Sequence, residues 1–214
     1  MPPPGYQPFL RAICENPADD APRLVYADWL DEHGDPDRAE FIRVQIAHAR
    51  QPDEATGLRA FALLDQFRRD WLADMRWFRD VTWDDEFHRG FVRHATFERP
   101  RPFFRSVARV VQAAPVTVVT IRGLDDVVLR RVLDVPEISR FDAIALTEFR
   151  ASQSRRLWTD IAACPRLATL KQLHIQFDHI DQLNWFPITE FEAEWRWAIN
   201  ESSHLQRLFS EGIR

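Results

Sequence analysis

Four titratable side chains near residue 175 form the best candidate for a metal site in this sequence. The segment HIQFDHID contains His174, Asp178, His179 and Asp181, and all four are residue types that bind zinc. The two histidines are separated by five positions on a predicted strand and turn, with no cysteine cluster near them. A closed zinc site needs four ligands that converge on the metal. Side chains at this spacing on a strand and turn need not converge, so we expect no metal here. A metal-dependent enzyme, or enzyme subunit, with a site near His174 and His179 is the alternative.

A second concentration of acidic residues occupies residues 26–45, YADWLDEHGDPDRAEFIRVQ. A calcium loop of the helix–loop–helix type needs oxygen ligands at positions 1, 3 and 5 and a glycine at position 6. Counted from Asp31, position 6 is Pro36, so the spacing excludes that loop. The stretch is better explained as a connector, in which Gly34 ends one helix in the left-handed conformation and Asp35 caps the next.

The basic residues of RPFFRSVARVVQ form the third candidate. Arg101, Arg105 and Arg109 are four positions apart and share one face of a predicted helix. Such a stripe suits a solvated helix face, and the alternatives are contact through it with nucleic acid or with an acidic protein partner. The chain contains neither a glycine-rich phosphate loop nor a nucleophile elbow, so no residue set specifies a reaction.

The N-terminal part has the pattern of consecutive helices. Leu24, Val25, Trp29 and Leu30 are predicted to form one apolar stripe. A long helix is predicted over residues 54–79, with one apolar register formed by Leu58, Phe61, Leu64, Phe67 (or Arg68) and Trp71. Upstream, Asp19 or Asp20 is expected to cap a helix that has Pro22 in its first turn.

The stretch FLRAICENPADDAPRLVYADWLDEHGDPDRAEFIRVQ resembles the repeat-companion domain found at the N-terminus of many planctomycete and myxobacterial proteins, often ahead of leucine-rich repeats. The resemblance covers roughly residues 7–50. It implies an N-terminal helical module followed by a repeat region in a bacterium of that kind, and it implies no reaction.

The region after residue 81 fits a leucine-rich-repeat template. The segments VRHATF, VTVVTI, FDAIAL and LKQLHI match L-x-x-L-x-L, and their last template positions are Phe97, Ile121, Leu146 and Ile175. The steps between these positions are 24, 25 and 29 residues, inside the period of such repeats. The asparagine or cysteine expected three residues later is replaced by Leu124, Phe149 and Asp178 in the last three segments, so we predict irregular repeats.

Residues between the buried template positions are predicted to form a concave, polar sheet face. Concave solenoid faces bind proteins or peptides. We therefore predict that partner contacts come from Thr96, Thr120, Arg122, Thr147, Gln172, His174 and Gln176.

The C-terminal residues 182–214 are predicted to form a helical cap over the last repeat. Trp185, Trp195 and Trp197 lie in this segment. Exposed aromatic residues also mark interfaces, so docking of another protein on these tryptophans is a second interpretation.

Composition limits the class of protein. A hydrophobic content of 45% supports a folded core, and residues 76–181 carry 14 acidic and 17 basic side chains, too small an excess to predict nucleic-acid binding. Cys14 and Cys164 are expected to be buried single thiols. Since neither a secretory signal nor an apolar run of membrane-spanning length occurs, we expect a cytoplasmic protein without a membrane partner.

The sequence therefore predicts an α/β protein with three parts: a helical repeat-companion module at 1–80, a leucine-rich-repeat-like solenoid at 81–181 and a C-terminal helical cap at 182–214. The predicted function is non-catalytic binding of another protein, as an adaptor or as a regulatory or inhibitory subunit. No cofactor and no metal is expected.

Overall fold

A computed structural model of the chain describes residues 4–73, 75, 78–85, 87–150 and 154–177. It is a mixed α/β structure with a mostly parallel sheet. Of the described residues, those up to 95 together with 108–116 form one compact unit, and 96–107 together with those from 117 onward form another. None of the helices in this described part has the length and hydropathy that a membrane span needs.

Four helices begin the chain: α1 Gln7–Glu15, α2 Ala21–Glu32, α3 Pro36–Arg50 and α4 Glu54–Ala73. Each of the first three packs against the helix that follows it. The predicted connector between α2 and α3 is confirmed. Gly34 has a φ of +86°, the left-handed conformation that lacks a steric cost only in glycine. The Asp35 carboxylate caps α3 by accepting a hydrogen bond of 3.3 Å from the Arg38 amide.

The buried face of α2 differs from the predicted apolar stripe. Val25 is 55% exposed, whereas Tyr26, Ala27 and Leu30 are buried together with Arg23. These four buried positions repeat at intervals of three to four residues, which is the helical period, and Val25 lies outside that face. The predicted stripe was therefore wrong at Val25, because the buried face of α2 follows Arg23, Tyr26, Ala27 and Leu30.

The helix α4 is shorter than predicted and ends at Ala73. Its buried residues are Ala60 and Leu63, while Leu58 and Phe61 are 63% and 67% exposed. The predicted register was therefore wrong at Leu58 and Phe61, whereas its later members Leu64, Phe67 and Trp71 pack against the core cluster that contains Leu63.

Two short strands, β2 Phe87–His88 and β3 Phe91–Val92, pair antiparallel as a hairpin. Arg89 and Gly90 between them have φ values of +50° and +86°, the signature of a two-residue turn that matches strand twist. A Cβ on Gly90 would lie 3.0 Å from the Ile42 Cα. Glycine is therefore required here by close approach to α3 as well as by its backbone angle.

Side chains of α3 tie this hairpin to the helices. The Gln45 Nε2 donates to the Phe87 carbonyl at 3.0 Å, and the Gly90 amide donates to the Gln45 Oε1 at 2.6 Å. The Arg38 Nη2 donates to the Gly90 carbonyl at 2.6 Å, and its Cζ lies 4.4 Å from the Trp71 ring centroid. The hairpin, which begins after the predicted domain boundary at residue 80, thus packs on the N-terminal helices.

The second part of the chain alternates strands with helices or 3₁₀ turns. Its elements are β1 Thr82–Trp83, β4 His94–Phe97, α5 Pro100–Ala113, β5 Val118–Arg122, α6 Asp126–Leu133, a 3₁₀ turn at Pro136–Arg140, β6 Ala143–Phe149, α7 Ser154–Ala163, a 3₁₀ turn at Pro165–Leu167 and β7 Gln172–Phe177. The strand order is β1-β4-β5-β6-β7, and both β5–β6 and β6–β7 are parallel pairs.

The register across β5, β6 and β7 coincides with the predicted template positions. Val119 pairs with Ile144 and Ile144 with Leu173, and the next core row contains Ile121, Leu146 and Ile175. In β5 and β6 these residues are buried. The sequence steps of 25 and 29 residues thus correspond to one strand-to-strand displacement each.

Backbone hydrogen bonds recur at the start of each strand. The Thr117 carbonyl accepts from the Asp142 and Ala143 amides at 2.7 and 3.1 Å, and the Asp142 carbonyl accepts from the Lys171 and Gln172 amides at 2.7 and 3.0 Å. Parallel strands that follow one another in chain and sheet order need right-handed crossovers. These crossovers place α6 and α7, which pack together, on one face of the sheet. Neither helix covers the opposite face.

The turns after β5 and β6 are closed by backbone hydrogen bonds, although the asparagine expected there is absent. The Gly123 amide donates to the Thr147 carbonyl at 3.0 Å, and the Arg150 amide donates to the Leu124 carbonyl at 2.8 Å. Leu124 and Phe149 occupy the expected asparagine positions and are each 1% exposed. Backbone pairing therefore satisfies the polar groups, while apolar side chains extend the core.

Candidate partner-binding surface

The sheet face opposite α6 and α7 brings together most of the predicted contact residues. Across the parallel strands, Thr120 pairs with Ala145 and Ala145 with His174, while Arg122 pairs with Thr147 in the neighbouring row. We call this surface the polar sheet face and define it by Thr96, Glu98, Thr120, Arg122, Thr147, Glu148, Gln172, His174 and Gln176.

Exposure divides the polar sheet face into accessible and covered positions. Gln172, His174 and Gln176 on β7 are exposed. Thr96, Arg122 and Thr147 are half-buried. Thr120 is only 8% exposed, so of the predicted contact residues it offers the least surface to a partner.

The formal charges of the polar sheet face are gathered around one arginine. The Arg122 Nε lies 3.5 Å from the Glu98 Oε2, and the Arg122 Nη1 lies 3.7 Å from the Glu148 Oε1. Both distances exceed those of a normal charge-assisted hydrogen bond. The side chains of Arg122, Glu98 and Glu148 are 43%, 51% and 54% exposed, so these three residues, the Arg122 triad, are open to water.

Glu148 adopts a left-handed backbone conformation with a φ of +53°. Its equivalent in the preceding turn is Gly123, with a φ of +68°, because both follow the paired residues Ile121 and Leu146 by two positions. The strand register is irregular between Leu146 and Phe149. The irregularity turns both Thr147 and Glu148 outward and returns Phe149 to the core.

Sequence reasoning did not identify Glu98 and Glu148 as members of this surface. Strict alternation along β6 assigns Glu148 to the core side, and the extra residue of the bulge reverses that assignment. The replacement of the expected asparagine by Phe149, one residue later, was the available signal. Phe149 is buried three positions after the core residue Leu146, whereas strict alternation along a strand would place the next buried residue two positions after it.

The metal alternative receives no geometric support within the described ranges. His174 lies exposed on β7, and His179, with Asp178 and Asp181, lies outside the described residues. In the part of the chain that the structure describes, no group of three histidine, cysteine or acidic side chains could hold a metal ion.

The arginine stripe on α5 lies on the exposed side of that helix. Arg101, Arg105 and Arg109 are exposed, while Phe103 and Val107 on the other side are buried. The Arg109 Cζ lies 5.9 Å from the Phe78 ring centroid. The stripe therefore has the geometry of an outer helix face.

A second charged cluster surrounds Asp20 at the start of α2. The Asp20 Oδ2 accepts a hydrogen bond of 2.9 Å from the Arg50 Nε, and the Asp20 Oδ1 lies 3.3 Å from the Arg89 Nη1. Burial, reinforced by the charge of Arg89, lowers the pKa of Arg23 to about 10. Burial also lowers the pKa of His88, with smaller effects from neighbouring arginines.

The remaining predicted sites divide between two outcomes. Cys14 and Cys164 are buried free thiols, as expected. Trp185, Trp195 and Trp197 lie outside the described residues, so their docking role stays a prediction.

Comparisons of the chain with protein-family models, with curated proteins and with solved structures found no match. The resemblance to the repeat-companion domain therefore stays a prediction from the residues that carry it.

Proposed function

We propose that the chain is a non-catalytic binding module that recognises a segment of another protein on the polar sheet face. The observation that carries this proposal is the arrangement of the parallel strands, which align Thr120 with His174 and Arg122 with Thr147 opposite the helices. The exposed part of this face consists of amide, hydroxyl, imidazole and charged groups. Such groups give orientation and specificity to a protein contact.

The architecture behind this proposal is a short, irregular leucine-rich-repeat-like solenoid that follows a repeat-companion module. Two observations support it: the in-register apolar rows, and the hydrogen bonds that recur at Thr117 and Asp142. A solenoid presents one extended face built from successive strands. An adaptor and an inhibitory subunit would both use such a face, and both belong to this proposal. The proposed location is the cytoplasm, because free thiols such as Cys14 persist there.

The proposal is tested by capture of a partner with matched variants. The full chain is immobilised and exposed to lysate of the cells that encode it, and retained proteins are identified by mass spectrometry. His174→Glu places a carboxylate on the polar sheet face, and Arg105→Glu places one on the outer side of α5, with a larger change in net charge. We expect a protein retained in near-equal amount by the wild type and by Arg105→Glu, and lost with His174→Glu.

Three results would contradict the proposal. The first is retention of no protein, and the second is retention that His174→Glu does not change. The third is capture of nucleic acid that Arg105→Glu abolishes, which would assign function to the α5 stripe instead.

A further inference from the structure

Arg23 on α2 is a buried cation whose hydrogen-bond donors are not all used. The residue is only 2% exposed, and neither its Nε nor its Nη1 has a hydrogen-bond acceptor among the described residues. The Phe91 ring, 5.4 Å from the Arg23 Cζ, stabilises the charge but offers no oxygen acceptor. Because a buried guanidinium without acceptors is costly, these free donors point to a ligand that supplies them.

The hairpin of β2 and β3 adds two further arginines on the same side. Arg89, in its turn, has its Nη1 3.3 Å from the Asp20 Oδ1, and its buried Nε also has no hydrogen-bond acceptor in the described part of the chain. Arg93 directly follows β3. Burial lowers the pKa of His88 most, and the charges of all three arginines lower it further. We call these three guanidinium groups, together with the His88 imidazole that they surround, the Arg23 cluster.

The carboxylates beside the Arg23 cluster do not balance its charge. The Asp20 Oδ2 lies 2.9 Å from both the Nε and the Nη2 of Arg50, so Arg50 neutralises Asp20. Asp19 is exposed, and its Oδ1 accepts a hydrogen bond of 2.9 Å from the Ala21 amide. Among the described residues, Arg50 and the three arginines of the cluster thus oppose two carboxylates, which leaves an excess of two positive charges. An oxyanion with two negative charges is the complementary ligand.

We infer that the Arg23 cluster binds the phosphate group of a small molecule, either free phosphate or a phosphate monoester. A phosphate group carries about −1.5 to −2 charges near pH 7, and the guanidinium fork matches its oxygen atoms. Arg23 and Arg89 donate to it through the nitrogen atoms that lack an acceptor. Arg93 and His88 are half-buried and give the group access from solvent. The site lies within one of the two compact units, and it does not rest on the proposed function.

Titration of the full chain with inorganic phosphate, at an ionic strength held constant with sodium chloride, tests this inference. Isothermal titration calorimetry should show one phosphate bound per chain. Arg89→Gln and Arg93→Gln should each weaken binding about tenfold, since each removes a charge-assisted hydrogen bond. Arg43→Gln is the matched control and should leave the dissociation constant unchanged, because Arg43 lies 2.7 Å from the carboxylates of both Asp28 and Asp31.

The NMR signals of the His88 imidazole give a readout that a purely structural role of the arginines would not change. A bound phosphate offsets the positive charges that lower the pKa of His88, so phosphate should raise that pKa. The signals are assigned by their loss in His88→Gln. Arg23→Lys keeps a buried cation without the guanidinium fork and should abolish the rise, and the two hairpin variants test the inference independently of any replacement at Arg23.

A second titration with glycerol 3-phosphate distinguishes the two sources of the phosphate group. Tighter binding of this ester assigns the site to a phosphate monoester, and tighter binding of inorganic phosphate assigns it to the free anion. Three results would overturn the inference: a pKa of His88 that phosphate does not change, a loss of affinity in Arg43→Gln as large as in the hairpin variants, or binding of acetate as tight as that of phosphate.

Discussion

Arginines in the two parts of the molecule have opposite environments. Arg38, in the helical part, donates to the Gly90 carbonyl at 2.6 Å and lies against four aromatic rings, with Trp71 nearest at 4.4 Å. Arg122, on the sheet, lies 3.5 and 3.7 Å from the carboxylates of Glu98 and Glu148 and is 43% exposed. The first arginine is fixed by packing and therefore stabilises the fold, whereas the second is half-exposed and loosely paired.

The largest expected effect concerns the hairpin that Arg38 holds. Gly90→Ala combines a φ of +86° with a Cβ that would overlap Ile42, and we expect it to lower the free energy of unfolding by about 3 kcal/mol. Gly34→Ala is the matched control, because Gly34 has the same φ and nothing within 4 Å. It should cost only about 1 kcal/mol. Equal losses in urea unfolding would contradict the close packing of the hairpin on α3.

The comparison of the two arginines is tested next by the same substitution in both. Arg38→Met loses the hydrogen bond to Gly90 and the cation–π contacts, so we expect a loss of about 2 kcal/mol. Arg122→Met loses only exposed ion pairs and should change stability by less than about 0.5 kcal/mol. Chemical denaturation of the two variants measures the difference. A larger loss at Arg122 would show that it is a structural residue.

The pH dependence of stability is expected to be smaller and to come partly from His88. Because burial lowers the pKa of His88, the protonated imidazole is disfavoured in the folded state. The stability that the neutral form contributes is present above the unfolded pKa and declines as the pH falls through about 6.5 toward the folded pKa. Wild-type stability should therefore fall more steeply between about pH 7.5 and pH 5.5 than that of His88→Gln. Parallel curves would contradict this assignment.

The smallest expected change in stability concerns the two equivalent turns. Glu148→Gly should raise the free energy of unfolding by about 0.5–1 kcal/mol, because glycine adopts the left-handed conformation without a steric cost. Gly123→Ala should lower it by about 1 kcal/mol for the same reason. A destabilising effect of Glu148→Gly would show that the ion pair with Arg122 does stabilise the fold.

Local sequence signals predicted the parts of the fold that depend on local physics. Gly34 and Asp35 identify the connector between α2 and α3, since turn and cap preferences arise within a few residues. The spacing of Ile121, Leu146 and Ile175 predicted the strand register, because one face of each strand is buried and a slip of one residue would expose it.

The rest depends on contacts between distant residues. Arg23 takes a core position in α2 because Phe91, far along the chain, provides a ring 5.4 Å from its Cζ, and a hydrophobic pattern assigns arginine to the surface. Glu148 joins the polar sheet face because of one bulge, which reverses the side of every later residue. Neither effect has a signal in the local pattern that is strong enough to predict it.

Recognition on the polar sheet face is tested by the dissociation constants of the captured partner for the wild type, His174→Glu and Arg105→Glu. We expect His174→Glu to weaken binding by at least about tenfold, because it adds a charge in the contact surface, and Arg105→Glu to leave the constant unchanged. Equal constants for the wild type and His174→Glu would contradict recognition on the polar sheet face.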